Sequence, residues 1–482
     1  MNLTDEQQKI VDKIQEPDVK LIKVDAVAGS GKTTLLQAIT HKTKPSKALY
    51  IAYNKAIATE ASKKFGFNVD CKTTHSLAYQ NTVKPYKLSV GYFGWKDIKE
   101  RLIYEHKVFI VDILNDFCLS AYSNFALFAE DEQDKNPNLT PNLFDAARKY
   151  FNNMVKGQQP ITHAGYLKMY HMLLSHKKIT HQNFDLLMLD EAGDLNPVTL
   201  EIFKLIPATK KLMVGDKNQN IYTFNGTING FERMRDVGVE MHMTQSFRCS
   251  EKIAERIEQF CQTYMDSSMR FLGTSTPRPP DNTVAIISRN NSTLIGEMIM
   301  LNKRRIKYNL TRPAKSIFEL VLILLGLKPS GQIFSAEWKF LQQDANQWGY
   351  DWSLQDRHKT PLSYIASLYN QDPPIKSALA LLDKYDIGDI YAAYNNAKEH
   401  EKEKNHLFTV STAHSMKGLE YSTVKICDDL NESVSKVVDD AGEDHSFYNE
   451  KQMETMRLYY VACSRAINKI DNAHHLAPEW DI

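Results

Sequence analysis

A glycine-rich loop set between an apolar strand and a helix constrains this chain more than any other feature. Leu21 to Val24 reads as a short strand, and Ala26-Val27-Ala28-Gly29-Ser30-Gly31-Lys32-Thr33-Thr34 follows it. Gly29 and Gly31 let the backbone bend so that successive N–H groups converge on phosphate oxygens, and a helix from Thr33 adds the positive end of its dipole. Lys32 would then reach the β- and γ-phosphates, and the Thr33 hydroxyl would bind Mg²⁺. This is a P-loop, with Ala26 where the general pattern prefers glycine. A bare Gly-Lys-Thr reads equally as a plain glycine turn, but strand, loop and helix in this order favour the phosphate site.

A P-loop needs a parallel sheet behind it, and the chain has the texture to build one. Ala48 to Ala52, Leu186 to Leu189 and Lys211 to Val214 read as further strands of the first α/β region. Val284 to Ser288, Arg305 to Leu310, Leu407 to Ser411 and Val424 to Cys427 read as strands of a later one. Strands alternating with helices imply doubly wound parallel sheets. Asn81 to Gln182 and Gly326 to Lys404 lack this rhythm. The second of these groups Trp338, Trp348 and Trp352 and ends in the charged run Glu399 to Lys404, so both read as insertions.

Composition narrows the class further. The 482 residues are 43% hydrophobic and 24% charged, which excludes a disordered or fibrous chain. No apolar run approaches the roughly 18–20 residues that span a bilayer; the longest, Leu320 to Leu327, reads as part of a buried helix. Met1 to Lys9 is polar with both charge signs, so no secretory signal is expected. Cys71, Cys118, Cys249, Cys261, Cys427 and Cys463 are scattered without a C-x-x-C pair, which argues against a disulfide framework or zinc site. A cytoplasmic or nucleoid-associated protein, not a secreted one, is the expectation. His163, His171, His176 and His181 have no carboxylate or cysteine at ligand spacing and read as surface or packing residues.

The carboxylates of a nucleotide site belong at a second strand end. Leu186-Leu187-Met188-Leu189 leads into Asp190-Glu191-Ala192-Gly193-Asp194. Asp190 can hold Mg²⁺ through water, and Glu191 is placed to polarise the attacking water. Adjacent acids after an apolar strand also suit a solvated loop; the upstream P-loop favours the catalytic reading. Arg248 and Arg465 follow apolar patterns far from the P-loop, and guanidinium groups stabilise charge on a transferring γ-phosphoryl group. Taken singly, each arginine reads as a surface ion pair.

With these motifs in order, the chain resembles superfamily 1 DNA helicases of the UvrD/Rep/PcrA type. Leu3-Thr4-Asp5-Glu6-Gln7 resembles their Q motif, and Asn54-Lys55-Ala56 and Thr73-Thr74-His75-Ser76 resemble two DNA-contacting motifs. Val214-Gly215-Asp216-Lys217-Asn218-Gln219-Asn220-Ile221-Tyr222 is similar to the sensor motif. Thr412-Ala413-His414-Ser415-Met416-Lys417-Gly418-Leu419-Glu420 and Arg457-Leu458-Tyr459-Tyr460-Val461-Ala462-Cys463-Ser464-Arg465-Ala466 are similar to the last two. Leu49-Tyr50-Ile51-Ala52-Tyr53-Asn54-Lys55, Cys71-Lys72-Thr73 and Thr244-Gln245-Ser246-Phe247-Arg248 resemble the F-box DNA helicase branch most closely. With a Q motif beginning at residue 3, no F-box is expected.

The resemblance implies two RecA-like parallel-sheet P-loop core domains that clasp ATP, each with a mainly helical inserted subdomain. Residues 1–80 and 183–246 would form the first core and 81–182 its insertion; residues 247–325 and 405–482 would form the second core and 326–404 its insertion. It implies that Gln7 reads adenine, Phe247 stacks on it, Glu420 meets the ribose, Gln219 senses the γ-phosphate, and Arg248 and Arg465 are arginine fingers. Ala28, Gly29, Ser30, Gly31, Lys32, Thr33 and Thr34 would line the phosphates, with Thr33 and Asp190 on Mg²⁺. Tyr53, Asn54, Thr73, His75, Tyr222, Phe224, Thr412 and His414 would grip single-stranded DNA, with aromatic stacking indifferent to sequence. Core packing for Tyr222 and Phe224, and structural roles for His75 and His414, are the plainer alternatives.

Gly193 stands where the family's D-E-x-Q-D motif has glutamine, Asn225 where arginine is frequent, Ala52 where an aromatic stacks a base, and Ser464 where threonine is usual. These departures bear on coupling rather than on the ATPase. The implied activity is an ATP-dependent, 3′→5′ single-stranded-DNA translocase and helicase in replication, recombination or repair. A motor that strips proteins from single strands, or an ATPase switch in a partner complex, are the alternatives. Single strands and single/double-strand junctions are the expected partners, with single-strand-binding or recombinase proteins as candidates, no membrane, and a monomer as the basic form.

Charge bears on this reading. Lys+Arg of 59 against Asp+Glu of 58 gives a net +1, which as an average argues against nucleic acid. The average hides Lys303, Arg304, Arg305, Lys307, Arg312 and Lys315, with no acid between Met298 and Lys315, and a second basic stretch from Asp145 to Lys178. Against them stands an acidic loop expected from Asp428 to Asp444. Basic segments beside a DNA channel would contact phosphates.

Overall fold

Which residues are buried along each strand explains how the sheets are covered. The computed structural model describes residues 3–136, 139–223, 226–326, 372–403, 405–442 and 448–476. The chain divides into two units, Met1–Thr244 and Gln245–Ile482. Trp338, Trp348 and Trp352 lie outside the described residues, as do Phe224 and Asn225.

In the first unit, helix α1 (Asp5–Lys13) precedes strand β1 (Leu21–Ala26) and helix α2 (Lys32–Thr43). Strand β2 (Ala48–Ala52), helix α3 (Lys55–Lys64), strand β3 (Val69–Thr73) and helix α4 (Thr74–Asn81) follow. After a run of helices come β4 (Phe184–Leu189), β5 (Ala208–Gly215) and β6 (Val239–Met243). The six strands form a sheet in the order β3-β2-β4-β5-β1-β6 with every pairing parallel.

Period-two alternation sends the two sides of each strand to different cores. Ile22, Val24, Ala48, Tyr50, Leu186 and Met188 pack with α1, α2 and α3. Leu49, Ile51, Leu187 and Leu189 pack with the helices between β3 and β4, which include Tyr104–Leu119, Pro141–Val155 and His163–Ser175. Strands buried on both faces read as continuous apolar runs, which is why β2, β4 and β5 are plain in the sequence.

The second unit opens with the parallel pair β7 (Gln245–Ser250) and β8 (Leu272–Thr274). Its main sheet comprises β9 (Val284–Ser288), β10 (Tyr308–Leu310), β11 (Phe408–Thr412), β12 (Tyr421–Ile426) and β13 (Ala466–Asp471). The order is β10-β11-β9-β12-β13, again all parallel.

The acidic stretch is not a loop: Asp428–Ala441 is a helix. Its apolar positions Leu430, Val434 and Val437 recur at helical spacing and are buried, while most of its acids face outward. The basic stretch from 298 to 315 carries carboxylate partners of its own, Lys303 pairing with Asp389 (2.7 Å) and Lys307 with Glu403 (2.8 Å). No helix among the described residues is long and apolar enough to cross a membrane.

Candidate nucleotide and nucleic-acid site

In a parallel sheet, ligands gather at the carboxyl ends of the strands. There β1 turns into α2 through the glycine loop. Gly29 and Gly31 take φ of 75° and 80°, a left-handed conformation that a side chain would strain. Gly31 is the helix N-cap and gives α2 no side-chain hydrogen bond. The orphan N–H groups of the first turn are therefore not closed by a capping side chain. The Ser30 hydroxyl is buried with no hydrogen-bond partner among the described residues. Both observations fit a loop built for phosphate.

The loop is braced from α1. Thr4 and Gln7 form a reciprocal capping box, and the Gln7 amide also donates to the Ser30 carbonyl at 3.2 Å. Gln7, expected to read adenine, is thus buried and holds the phosphate loop. Thr33 is exposed at the start of α2 and Thr34 is half-buried.

The strand β4 delivers Asp190 and Glu191 beside this loop. Lys32 Nζ lies 3.3 Å from Glu191 Oε1. Glu191 itself sits at φ 54°, a strained conformation for a residue with a side chain. Asp190 accepts from the Tyr50 hydroxyl at 2.6 Å and from the Glu191 backbone N–H at 2.9 Å. Burial, then the neighbouring Glu191 charge, raises the Asp190 carboxyl above its ordinary range. Tyr50 was not among the expected site residues. Its signal is the alternation of β2, since Tyr50 pairs with Met188 and so shares a face with Asp190 two residues on.

Gly193 has a steric reason. A Cβ there would lie 2.2 Å from the Asp216 carbonyl oxygen, and one on Gly215 would lie 2.6 Å from the Ala192 nitrogen. The 190–194 turn and residues 215–217 therefore meet backbone to backbone, leaving no room for a glutamine side chain at position 193. Gln219 is buried and donates from Nε2 to Asp216 Oδ2 at 2.9 Å.

In the second unit, Arg248, Glu420 and Arg465 come together around one helix end. Arg465 is 2% exposed; its Nε donates to Val461 O (2.9 Å) and its Nη2 to Ser464 Oγ (2.8 Å). Arg248 donates to Ser464 O (3.1 Å) and to Glu420 (3.0 Å), which also accepts from Arg278 (3.0 Å). The arginines thus complement the carbonyl end of helix Glu450–Cys463. Phe247, next to Arg248, is 51% exposed and free to present a ring face.

Several of the residues expected at DNA also cap helices. Asn54 Oδ1 accepts from Ile57 N at 2.9 Å, and Thr73 Oγ1 from Ser76 N at 3.1 Å. Thr412 opens the short turn Ala413–Met416, its hydroxyl 3.3 Å from Ser415 Oγ. Tyr53 is 47% exposed, and Tyr222 and His414 are half-buried. His75 packs edge-on against Tyr166 (5.6 Å) and His163 (6.2 Å). Burial, then the His163 charge, lowers its pKa.

Parallel sheet, glycine loop and strand-end carboxylates define the first unit as a P-loop nucleotide-binding domain. A family model described as "AAA domain" matches residues 7–225. The chain is 25% identical over 479 residues to F-box DNA helicase 1 of Gallus gallus, covering 89% of this chain and 45% of that protein. F-box DNA helicase protein 1 of Schizosaccharomyces pombe is 23% identical, covering 97% and 57%. A probable DNA helicase II homolog of Mycoplasma genitalium is 24% identical, covering 47% and 38%. The chain thus spans about half the length of the curated relatives it matches. The chain is thus similar, over most of its length, to proteins named as DNA helicases.

Proposed function

We propose that this chain is an ATP-driven motor on single-stranded DNA that moves 3′→5′ and separates duplex strands, serving replication, recombination or repair. The observation that carries the reading is the open glycine loop with Lys32 held against Glu191, beside a buried Asp190.

Lys32 and Glu191 face one another as an ion pair at 3.3 Å. With ATP in the loop, Lys32 turns its charge to the β- and γ-phosphates and releases the Glu191 carboxylate. Glu191 then takes a proton from the attacking water as its oxygen bonds to the γ-phosphorus and the β–γ bridging oxygen leaves with ADP. Mg²⁺, which Thr33 and Asp190 would hold, supplies Lewis-acid neutralisation of the phosphate oxygens. Tyr50 fixes one oxygen of Asp190, so the carboxylate is oriented beforehand. Arg248 and Arg465 are given the charge that builds on the γ-phosphoryl group, and Gln219 the reading of its presence. Tyr53, Tyr222 and His75 are given base contacts, with Asn54, Thr73, Thr412 and His414 beside them.

A forked duplex with a 3′ single-stranded tail tests this directly. Strand separation that needs ATP is expected, and so is faster loss of streptavidin from a 5′-biotinylated strand than from a 3′-biotinylated one. Streptavidin loss without strand separation would make the chain a protein-stripping motor. Neither outcome, with ATP still hydrolysed, would leave an ATPase switch.

A further inference from the structure

A cluster of charged side chains beside the phosphate loop takes no part in the chemistry above. Asp25 lies in β1, one residue before its end, directly opposite Gly215 of β5 and His242 of β6. Its Oδ1 accepts the Lys217 backbone N–H at 3.1 Å. Its Oδ2 lies 3.4 Å from Lys217 Nζ and 3.8 Å from His242 Nδ1. The Asp25 side chain is only 14% exposed, so this is a semi-buried anchor and not a solvated surface pair.

Lys217 opens the short 3-10 turn Lys217–Gln219, which carries the sensor glutamine. Asp216 holds that turn from within, accepting Asn218 N (3.0 Å) and Gln219 Nε2 (2.9 Å). Asp25 holds its first residue from outside, through both a backbone and a side-chain contact. Two residues after Asp25 the chain enters the glycine loop, whose Val27 N–H is tied to Met243 of β6. The strand that ends in the phosphate loop is therefore clamped to the turn that carries Gln219.

We propose that Asp25 is a positioning residue that locks the sensor turn to the phosphate-loop strand, so that Gln219 stays in register with the nucleotide. This rests on the reading of the glycine loop as the ATP site. Such a residue acts on turnover through geometry, where displacing a group by about 1 Å costs as much as a hundredfold.

The test uses the full chain with Asp25→Ala, Asp25→Asn, Lys217→Ala and the double Asp25→Ala/Lys217→Ala. DNA-stimulated ATP turnover is measured together with binding of a fluorescent ATP analogue. Asp25→Ala is expected to lower kcat about tenfold or more while KM and analogue binding stay at wild-type values. Asp25→Asn, which still accepts the Lys217 N–H, is expected to recover most of that loss, and Lys217→Ala to fall between them. The double variant is expected to match Asp25→Ala, because loss of Asp25 already removes both of its contacts to Lys217.

Unchanged kcat in Asp25→Ala overturns the proposal, as does a loss shared equally with analogue binding or with thermal stability. Additive losses in the double variant overturn it too. Turnover that survives Lys32→Ala in an otherwise unchanged chain would instead overturn the underlying ATP-site reading.

Discussion

The two parallel sheets make the same turn from strand to helix in opposite ways. In the first unit, β1 passes through left-handed glycines into α2, whose first turn has no capping side chain. In the second, β9 passes through Arg289 and Asn290 into the helix Asn291–Lys303, and that helix end is filled. Asn290 Oδ1 accepts Thr293 N at 2.8 Å, and Asp429 Oδ2 accepts the N–H groups of Arg289 and Asn290 at 3.0 Å each. A helix N-terminus attracts an anion in either case. The second sheet supplies a carboxylate from its own chain, and the first leaves α2 without a capping side chain. A strand-to-helix turn at the edge of a parallel sheet therefore does not by itself imply a nucleotide site.

The largest effect should come from the open edge. Glu191→Gln removes the proton acceptor and should lower DNA-stimulated phosphate release about 10²–10⁴-fold, with nucleotide binding kept. Wild-type turnover in that variant would strip the first edge of its catalytic role. Arg465→Lys on the second unit should slow turnover about 10²–10³-fold while leaving ATP-analogue affinity unchanged. Lysine cannot reproduce the paired donations to Val461 O and Ser464 Oγ, so a lower melting temperature should accompany the loss.

Stability measurements sharpen the contrast between the filled and open ends. Gly193→Gln must push the Asp216 carbonyl away and should destabilise the first unit by about 3 kcal/mol, read as an earlier chemical-denaturation midpoint. Asp429→Ala leaves two backbone N–H groups without their acceptor and should destabilise the second unit by about 1–3 kcal/mol. If added inorganic phosphate restored part of that loss, the carboxylate would be shown to occupy an anion place. Smallest is His75→Ala, expected to weaken single-strand binding by about 1 kcal/mol in fluorescence anisotropy. With its pKa lowered, His75 is neutral at pH 7 and above, so the salt slope should not change. A flatter slope would mean that His75 binds phosphate as a cation.

What the sequence disclosed about the fold follows strand position. The interior strands β2, β4 and β9 stand out because both faces are largely buried and their residues run apolar. The strands not expected were β3, β6 and β13, all at sheet edges, besides the short pair β7 and β8. Val-Asp-Cys-Lys-Thr of β3 and Val-Glu-Met-His-Met of β6 mix polar with apolar residues because an edge strand keeps one side near water. The acidic segment read as a loop because its charge hid the helical recurrence of Leu430, Val434 and Val437.

Taken alone, the sequence determined the chemistry of contiguous turns. Gly29, Gly31, Lys32 and Thr33 are covalent neighbours, so their spacing dictates a phosphate loop wherever the chain folds. Only the tertiary structure decided what those turns lean on. Tyr50 and Asp190 are 140 positions apart, Asp25 and Lys217 192, and Arg289 and Asp429 140. No local propensity encodes such pairs; they form because parallel strands align their carboxyl ends and bring distant residues to one edge. The same alignment left one helix end open and filled the other, since it placed Asp429 at the amides following β9 and no capping side chain at the start of α2.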